Sequence, residues 1–188
     1  GFTYVEADVQ FTSDGVAVLL HDSTIDRTSN GSGSISAMTY AEASKYDYGS
    51  WKNTKYTGTR IPTFEEFIIL CKRIGLHPYI ELKQNGAYTQ AQIQALVEMV
   101  KNCGMEGKVT WISFAPSYLE YVKVADSSAR LGYLVSSVTS AVITTAQGLQ
   151  TDTNEVFIDS SDYDADAISL CQAAGLPLEI WTINSTST

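Results

Sequence analysis

From residue 62 onward, short β-rich runs alternate with amphipathic segments, and no other feature limits the possible folds of this chain so tightly. Apolar residues at i, i+3, i+4 and i+7 recur as Phe64, Phe67, Ile68, Cys71 and again as Ile93, Leu96, Val97, Val100, the spacing of helices with one buried face. Tyr118, Leu119, Val122, Ala125 and Ala167, Leu170, Cys171, Ala174 give two more such faces, whereas Val138–Leu149 carries a weaker pattern. Thr63 and Glu66 have capping-box spacing behind Pro62, and Gly75 is placed to end that helix.

Strands are expected at Tyr4–Gln10, Tyr79–Lys83, Val109–Phe114, Leu131–Val135, Val156–Asp159 and Leu178–Ile183. From the second onward they return about every two to three dozen residues with a helix between, which predicts βαβ units and a parallel sheet. Val16–Leu20 follows an Asp14–Gly15 turn, so Phe11 to Leu20 is expected to form a hairpin or bent excursion. A doubly wound nucleotide-binding sheet would alternate in the same way, but no Gly-rich phosphate loop opens any of these helices. Acids at strand ends, Glu6, Asp8 and Glu81, favour a TIM-type (β/α) barrel, whose sites collect where the strands run out.

The 188 residues, 44% hydrophobic and 18% charged, suit one globular domain over 1–188 with a sizeable core. No run is long and apolar enough for a membrane helix, and a soluble domain is expected, with its compartment left open. A net charge of −9 with only 12 scattered basic residues argues against nucleic-acid binding. It leaves room for an anionic substrate where a bound cation supplies positive charge. Cys71, Cys103 and Cys171 lack CxxC spacing and read as small buried thiols.

Alternation along Tyr4–Gln10 puts Glu6 and Asp8 on one face, with Val5, Ala7 and Val9 on the other. Two carboxylates converging at a barrel mouth call for a cation or a proton between them; the competing reading is a solvated strand end. Glu81 and Lys83 likewise share a face, either as an internal salt bridge or as a third oxygen ligand beside a phosphate-holding ammonium. His21 follows an apolar run and has Asp22 beside it, a setting that suits a general acid or base. His77, between Gly75–Leu76 and Pro78, reads as a loop residue.

The run E-A-D-V-Q-F-T-S-D-G-V-A-V-L-L-H-D-S-T-I-D-R-T-S-N-G-S-G from Glu6 to Gly33 resembles the glycerophosphodiester phosphodiesterase family. That family's pattern is E-x-D-V, T-x-D-G, V-x-x-H-D and R-T-x-N-G. Ile61–Pro62–Thr63 with Glu65–Glu66, Ile80–Glu81–Leu82–Lys83, Ser113–Phe114 and Trp181–Thr182–Ile183–Asn184 continue the match in order along nearly the whole chain. The resemblance implies metal-dependent hydrolysis of a small-molecule glycerophosphodiester to glycerol 3-phosphate and an alcohol. In it, Glu6, Asp8 and Glu81 bind a divalent cation, Ca2+ or Mg2+; His21 is one of two acid/base histidines, Lys83 contacts the phosphate, and Trp181 lines the glycerol pocket. A core aromatic is the alternative for Trp181, and Arg27 and Asn30 are read as loop-shaping residues.

The family also begins with a strand bearing H-R-G and then E-N-T, and closes with an eighth strand after W-T-x-N; this sequence contains neither. The expectation is therefore an incomplete barrel, about six of its eight strands with the first and last missing. The second histidine and its neighbouring Arg are absent, so the 188 residues alone are expected to be inactive or nearly so, even if they bind metal. Two rival readings stand beside it. One is a related phospholipase D-like barrel acting on lysophospholipid or sphingomyelin, which the Lys83 and Trp181 matches disfavour. The other is a non-catalytic phosphodiester-binding module, which retention of His21 with all three acids disfavours.

Overall fold

The structure is a computed structural model that describes residues 1–83, 87–161 and 163–182. Seven strands form one sheet in the order β2-β1-β3-β4-β5-β6-β7. They are β1 (Tyr4–Phe11), β2 (Ala17–Leu19), β3 (His77–Leu82), β4 (Thr110–Ser113), β5 (Arg130–Val135), β6 (Val156–Ser160) and β7 (Leu178–Ile180). All neighbouring pairs from β1 to β7 are parallel, while β2 folds back antiparallel on β1, with Val9 opposite Leu19 and Phe11 opposite Ala17. Phe11 to Leu20 is thus the hairpin that Asp14–Gly15 suggests, with Gly15 supplying the positive φ of 81°.

A short helix, α1 (Tyr40–Ala43), lies in the excursion between β2 and β3, and α2 (Phe64–Ile74) closes that crossover. Then α3 (Gln90–Asn102), α4 (Pro116–Ala125), α5 (Ser140–Leu149) and α6 (Ala165–Ala174) join successive parallel strands. The sequence dictates their ends. Thr63–Glu66 and Thr89–Gln92 make capping boxes, Thr139 and Asp164 cap α5 and α6, and Gly75 and Gly175 stop α2 and α6 in the left-handed conformation. The weaker Val138–Leu149 pattern is a full helix from Ser140, because Ile143, Ala146 and Leu149 still form a buried stripe.

Helix-facing strand residues, among them Val9, Ile80, Leu82, Trp111, Leu131 and Ile158, pack with Ile68, Leu96, Leu119 and Ala146 into the main core. A second cluster, Val18, Leu20, Ile25, Ile35, Ala43 and Ile61, supports the excursion after β2. On the opposite, concave face of the sheet, Ile112, Leu134 and Phe157 pack together with Tyr79, Phe114 and Trp181. Gly132 makes room for this inner cluster: a Cβ there would lie 2.4 Å from the Phe157 ring. The architecture is an incomplete (β/α) barrel, open between β2 and β7 among the described residues.

Two local expectations change. His77 is the first residue of β3, opposite Tyr4, and its N–H donates to the Thr3 carbonyl at 2.9 Å. The left-handed Gly75 and the Leu76 N–H closing on Cys71 complete the reversal so quickly that no loop remains. At the other end β7 stops at Ile180, and Ile183 and Asn184 lie outside the described residues. Cys71 and Cys171 are buried free thiols, as expected, while Cys103 is only partly covered.

Candidate active site

The inward-pointing residues of β1 and β3 stack at the C-terminal ends of those strands, where Asp8 pairs in register with Glu81. Their positions are held by buried hydrogen bonds: the Tyr88 hydroxyl donates to the Val9 carbonyl, and the Ser113 hydroxyl donates to the Leu82 carbonyl at 2.7 Å. Glu6, Asp8 and Glu81 each offer a carboxylate oxygen, and these three atoms lie within 4.8 Å of one another. Lys83 Nζ sits 2.9 Å from Asp8 Oδ1 and 3.1 Å from Glu81 Oε1. The inward alternation that the sequence requires of Glu6, Asp8, Glu81 and Lys83 is thus realised, with both the acidic group and the salt bridge present together.

Protonation in this cluster is displaced first by burial and then by the charges of its neighbours. Although Glu6 keeps an exposed face, loss of solvent around its carboxyl, followed by the charges of Asp8 and Glu81, pushes its pKa up to about 7. Burial also raises the Glu81 carboxyl, against the opposing pull of Lys83. Burial disfavours the charged form of Lys83, yet the hydrogen bond and charge of Asp8, joined by Glu81, hold its ammonium above the usual range. One ammonium does not satisfy three carboxylates.

The donor set fits a hard divalent cation. Such ions hold oxygens at roughly 2.0 to 2.6 Å, so oxygens sharing one ion stand up to about 5 Å apart. The spread of the Glu6, Asp8 and Glu81 oxygens falls within that span, and the Glu6 carboxyl has no hydrogen bond or ion pair among the described residues.

These residues line a cavity of 470 Å³, and His21, Trp181 and Asp159 line it too. His21 follows β2, whose pairing with β1 carries it to the mouth; the Leu20 N–H donates to the Asp8 carbonyl at 3.0 Å. His21 Nδ1 lies 2.8 Å from Asp22 Oδ1, and Arg27 grips both oxygens of Asp22, with Nε at 2.7 Å and Nη2 at 2.9 Å. The Arg27 hydrogen bonds, helped by His21, hold the Asp22 carboxyl well below the usual carboxylate range. An ionised Asp22 can only accept, which assigns the proton to Nδ1 and leaves Nε2 as the exchangeable nitrogen. Arg27, loop-shaping by its sequence context, bridges to Asp22 five residues back and so also fixes the acid beside His21. Asn30 does shape the loop, accepting from the Asp47 N–H at 2.8 Å.

Trp181 forms an edge-on contact with Phe114, ring centroids 5.6 Å apart, and its Nε1 donates to the Asp159 carbonyl at 3.1 Å. It is both a packed aromatic and a cavity wall, so the two readings of Trp181 are compatible. Asp159 itself escapes the sequence reading, although it ends an expected strand as Glu81 nearly does. It is 8% exposed, and burial, then the Glu179 charge, pushes its pKa up to about 6. A larger cavity of 580 Å³ opens at the N-terminal strand ends, around Tyr4, His77 and Arg130. There Arg130 is already paired, with Glu179 at 2.5 Å and Glu155 at 3.1 Å, so that end reads as a structural network.

The glycerophosphoryl diester phosphodiesterase family matches residues 1–188. A glycerophosphodiester phosphodiesterase of Caldanaerobacter subterraneus is 34% identical over 69% of this chain, and one of Bacillus subtilis is 28% identical over 97%. The aligned parts amount to 54% and 67% of those two proteins, so the chain spans about half the length of the first. A phosphodiesterase of Oleispira antarctica, solved in complex with the product sn-glycerol-3-phosphate, superposes with a TM-score of 0.88 at 32% identity, covering 98% of this chain and 74% of that one. With its acids, lysine and histidine gathered at the strand ends of an incomplete barrel, this chain belongs to the glycerophosphoryl diester phosphodiesterase family.

Proposed function

We propose that residues 1–188 act as one domain that supplies the cation site and one acid/base histidine of a glycerophosphodiester phosphodiesterase. The reaction is hydrolysis of a glycerophosphodiester to glycerol 3-phosphate and an alcohol. The observation that carries this reading is the meeting of Glu6, Asp8, Glu81, Lys83 and His21 on one cavity of small-molecule size. Glu6, Asp8 and Glu81 would hold Ca2+ or Mg2+, which when bound neutralises and polarises the phosphate.

The chain's own residues do the rest. The Lys83 ammonium, kept protonated by Asp8 and Glu81, pairs with a phosphate oxygen. His21, with Nδ1–H fixed on Asp22, moves a proton at Nε2. In its neutral form it takes that proton from the attacking hydroxyl, of water or of the substrate's glycerol. In its protonated form it gives the proton to the departing alkoxide. Trp181 and Phe114 form the apolar wall against the carbon chain.

The test is release of glycerol 3-phosphate from glycerophosphocholine with added Ca2+ or Mg2+, by this chain within its longest native polypeptide, with and without His21→Ala. Turnover should fall by at least about a hundredfold, the low end for a group moving a proton in the transition state. Near-unchanged turnover in the variant would remove His21 from the chemistry.

A further inference from the structure

The cavity is lined by two acids that the proposed reaction does not use, Asp159 and Glu179. Asp159 points from β6 into the concave face, next to the inner cluster residue Phe157 in sequence alternation. Only 8% of the residue is exposed, yet its carboxyl makes no hydrogen bond or ion pair among the described residues. The other acid at this depth, Glu179, is fully engaged: Arg130 donates to it at 2.5 Å and the Tyr79 hydroxyl at 3.2 Å. A carboxyl covered to this extent has lost most of its hydration, and a ligand that donates hydrogen bonds to it restores what burial removes.

What would complete it follows from the surroundings. Asp159 lines the same cavity as the carboxylate cluster and Lys83, the proposed contact of the phosphate. Trp181 and Phe114 line the same cavity, flat apolar surfaces suited to a short carbon chain. The Trp181 Nε1 bond to the Asp159 carbonyl ties the wall to the floor. A ligand with its phosphate at Lys83 and its carbon chain on Trp181 therefore extends toward an acceptor. Hydroxyl donors satisfy that acceptor without a full counter-charge.

We propose that Asp159 is a specificity-determining residue, whose carboxylate accepts hydrogen bonds from the free hydroxyls of the substrate's polyol and so selects phosphodiesters of an unacylated glycerol. This rests on the proposed function of the same site, and it adds the feature of the substrate that is recognised. A phosphoester lacking those hydroxyls leaves the buried carboxyl unpaired, which is the physical source of the discrimination.

Calorimetric titration with sn-glycerol 3-phosphate and with n-propyl phosphate, in the presence of Mg2+, reads this directly. The two ligands share a three-carbon chain and differ in their hydroxyls. The unaltered protein is expected to prefer glycerol 3-phosphate by at least about tenfold, the size of one hydrogen bond to a charged acceptor. Asp159→Ala should cut that preference to within about threefold without weakening n-propyl phosphate binding, and Asp159→Asn, which keeps an acceptor oxygen, should fall between. A preference that survives in both variants, or an equal loss for both ligands, overturns the role of Asp159. Failure of the unaltered protein to bind either phosphate overturns the reading of the whole site, and this proposal with it.

Discussion

Asp159 and Glu6 make the folded chain sensitive to pH in the direction opposite to most surface carboxylates. Both have raised folded-state values, about 6 and about 7, so in the absence of a cation the native state binds protons more tightly than the unfolded chain. Their contribution is complete below the ordinary carboxylate range and is lost as pH rises through those values. Glu66, held at about 2 by the fork of Arg60, has the reverse sign, losing its contribution as pH falls below 4.5; its exposure keeps that effect small. The melting temperature of the cation-free protein should therefore fall between about pH 4.5 and 7.5, and Asp159→Asn should flatten the slope. A melting temperature that rises across that interval in both proteins would mean that these carboxyls are ionised in the fold. At the same scale, Arg27→Ala frees the Asp22 carboxylate that orients His21. Turnover of the active enzyme should drop by about tenfold or more with KM little changed, part of the larger loss from removing the histidine itself. Arg27→Lys, which cannot grip both oxygens in one plane, should recover only part of it.

Among the elements, each barrel strand has a helix-facing and an inward-facing side, and the inward side leaves little room. At Gly132 a methyl group would lie 2.4 Å from Phe157 and 2.8 Å from Ile112, so Gly132→Ala should cost about 1–3 kcal/mol in denaturant unfolding through overpacking. Phe157→Ala, fully buried, should cost about 3–5 kcal/mol by leaving a cavity in the same place. Combined in one chain, the two changes should cost less than their sum, because the ring that the added methyl group would strike is gone. Strict additivity would show that Gly132 is needed for backbone freedom and not for space. Element boundaries were legible where local chemistry sets them: Thr63, Glu66 and Gly75 delimit α2 by hydrogen bonds within a few residues. They were less legible at His77, where pairing with Tyr4 across the sheet, more than seventy residues away in sequence, draws a turn residue into β3.

For the molecule as a whole, the same distinction between local and distant causes explains how much of the site could be read in advance. Glu6, Asp8, Glu81 and Lys83 were legible because strand alternation alone decides which way they point. The grip of Arg27 on Asp22 was not, since it depends on how the excursion after β2 folds over Val18, Leu20 and Ile25. Nor was Asp159, whose importance comes from being the acid left unpaired once Arg130 has taken Glu179, a result of side chains meeting across the barrel interior. What the barrel gathers at its C-terminal strand ends is an excess of negative charge with one ammonium, and that imbalance is the central physical reason to expect a divalent cation. The most direct measurement is calorimetric titration of the chain with Ca2+ and Mg2+ near pH 7 in buffers of different ionisation enthalpy. One cation should bind per chain, protons should be released because Glu6 titrates at about 7, and Glu81→Gln should weaken binding by at least about tenfold. Binding of unaltered strength in Glu81→Gln, or no saturable binding by the chain itself, would contradict a cation site at Glu6, Asp8 and Glu81.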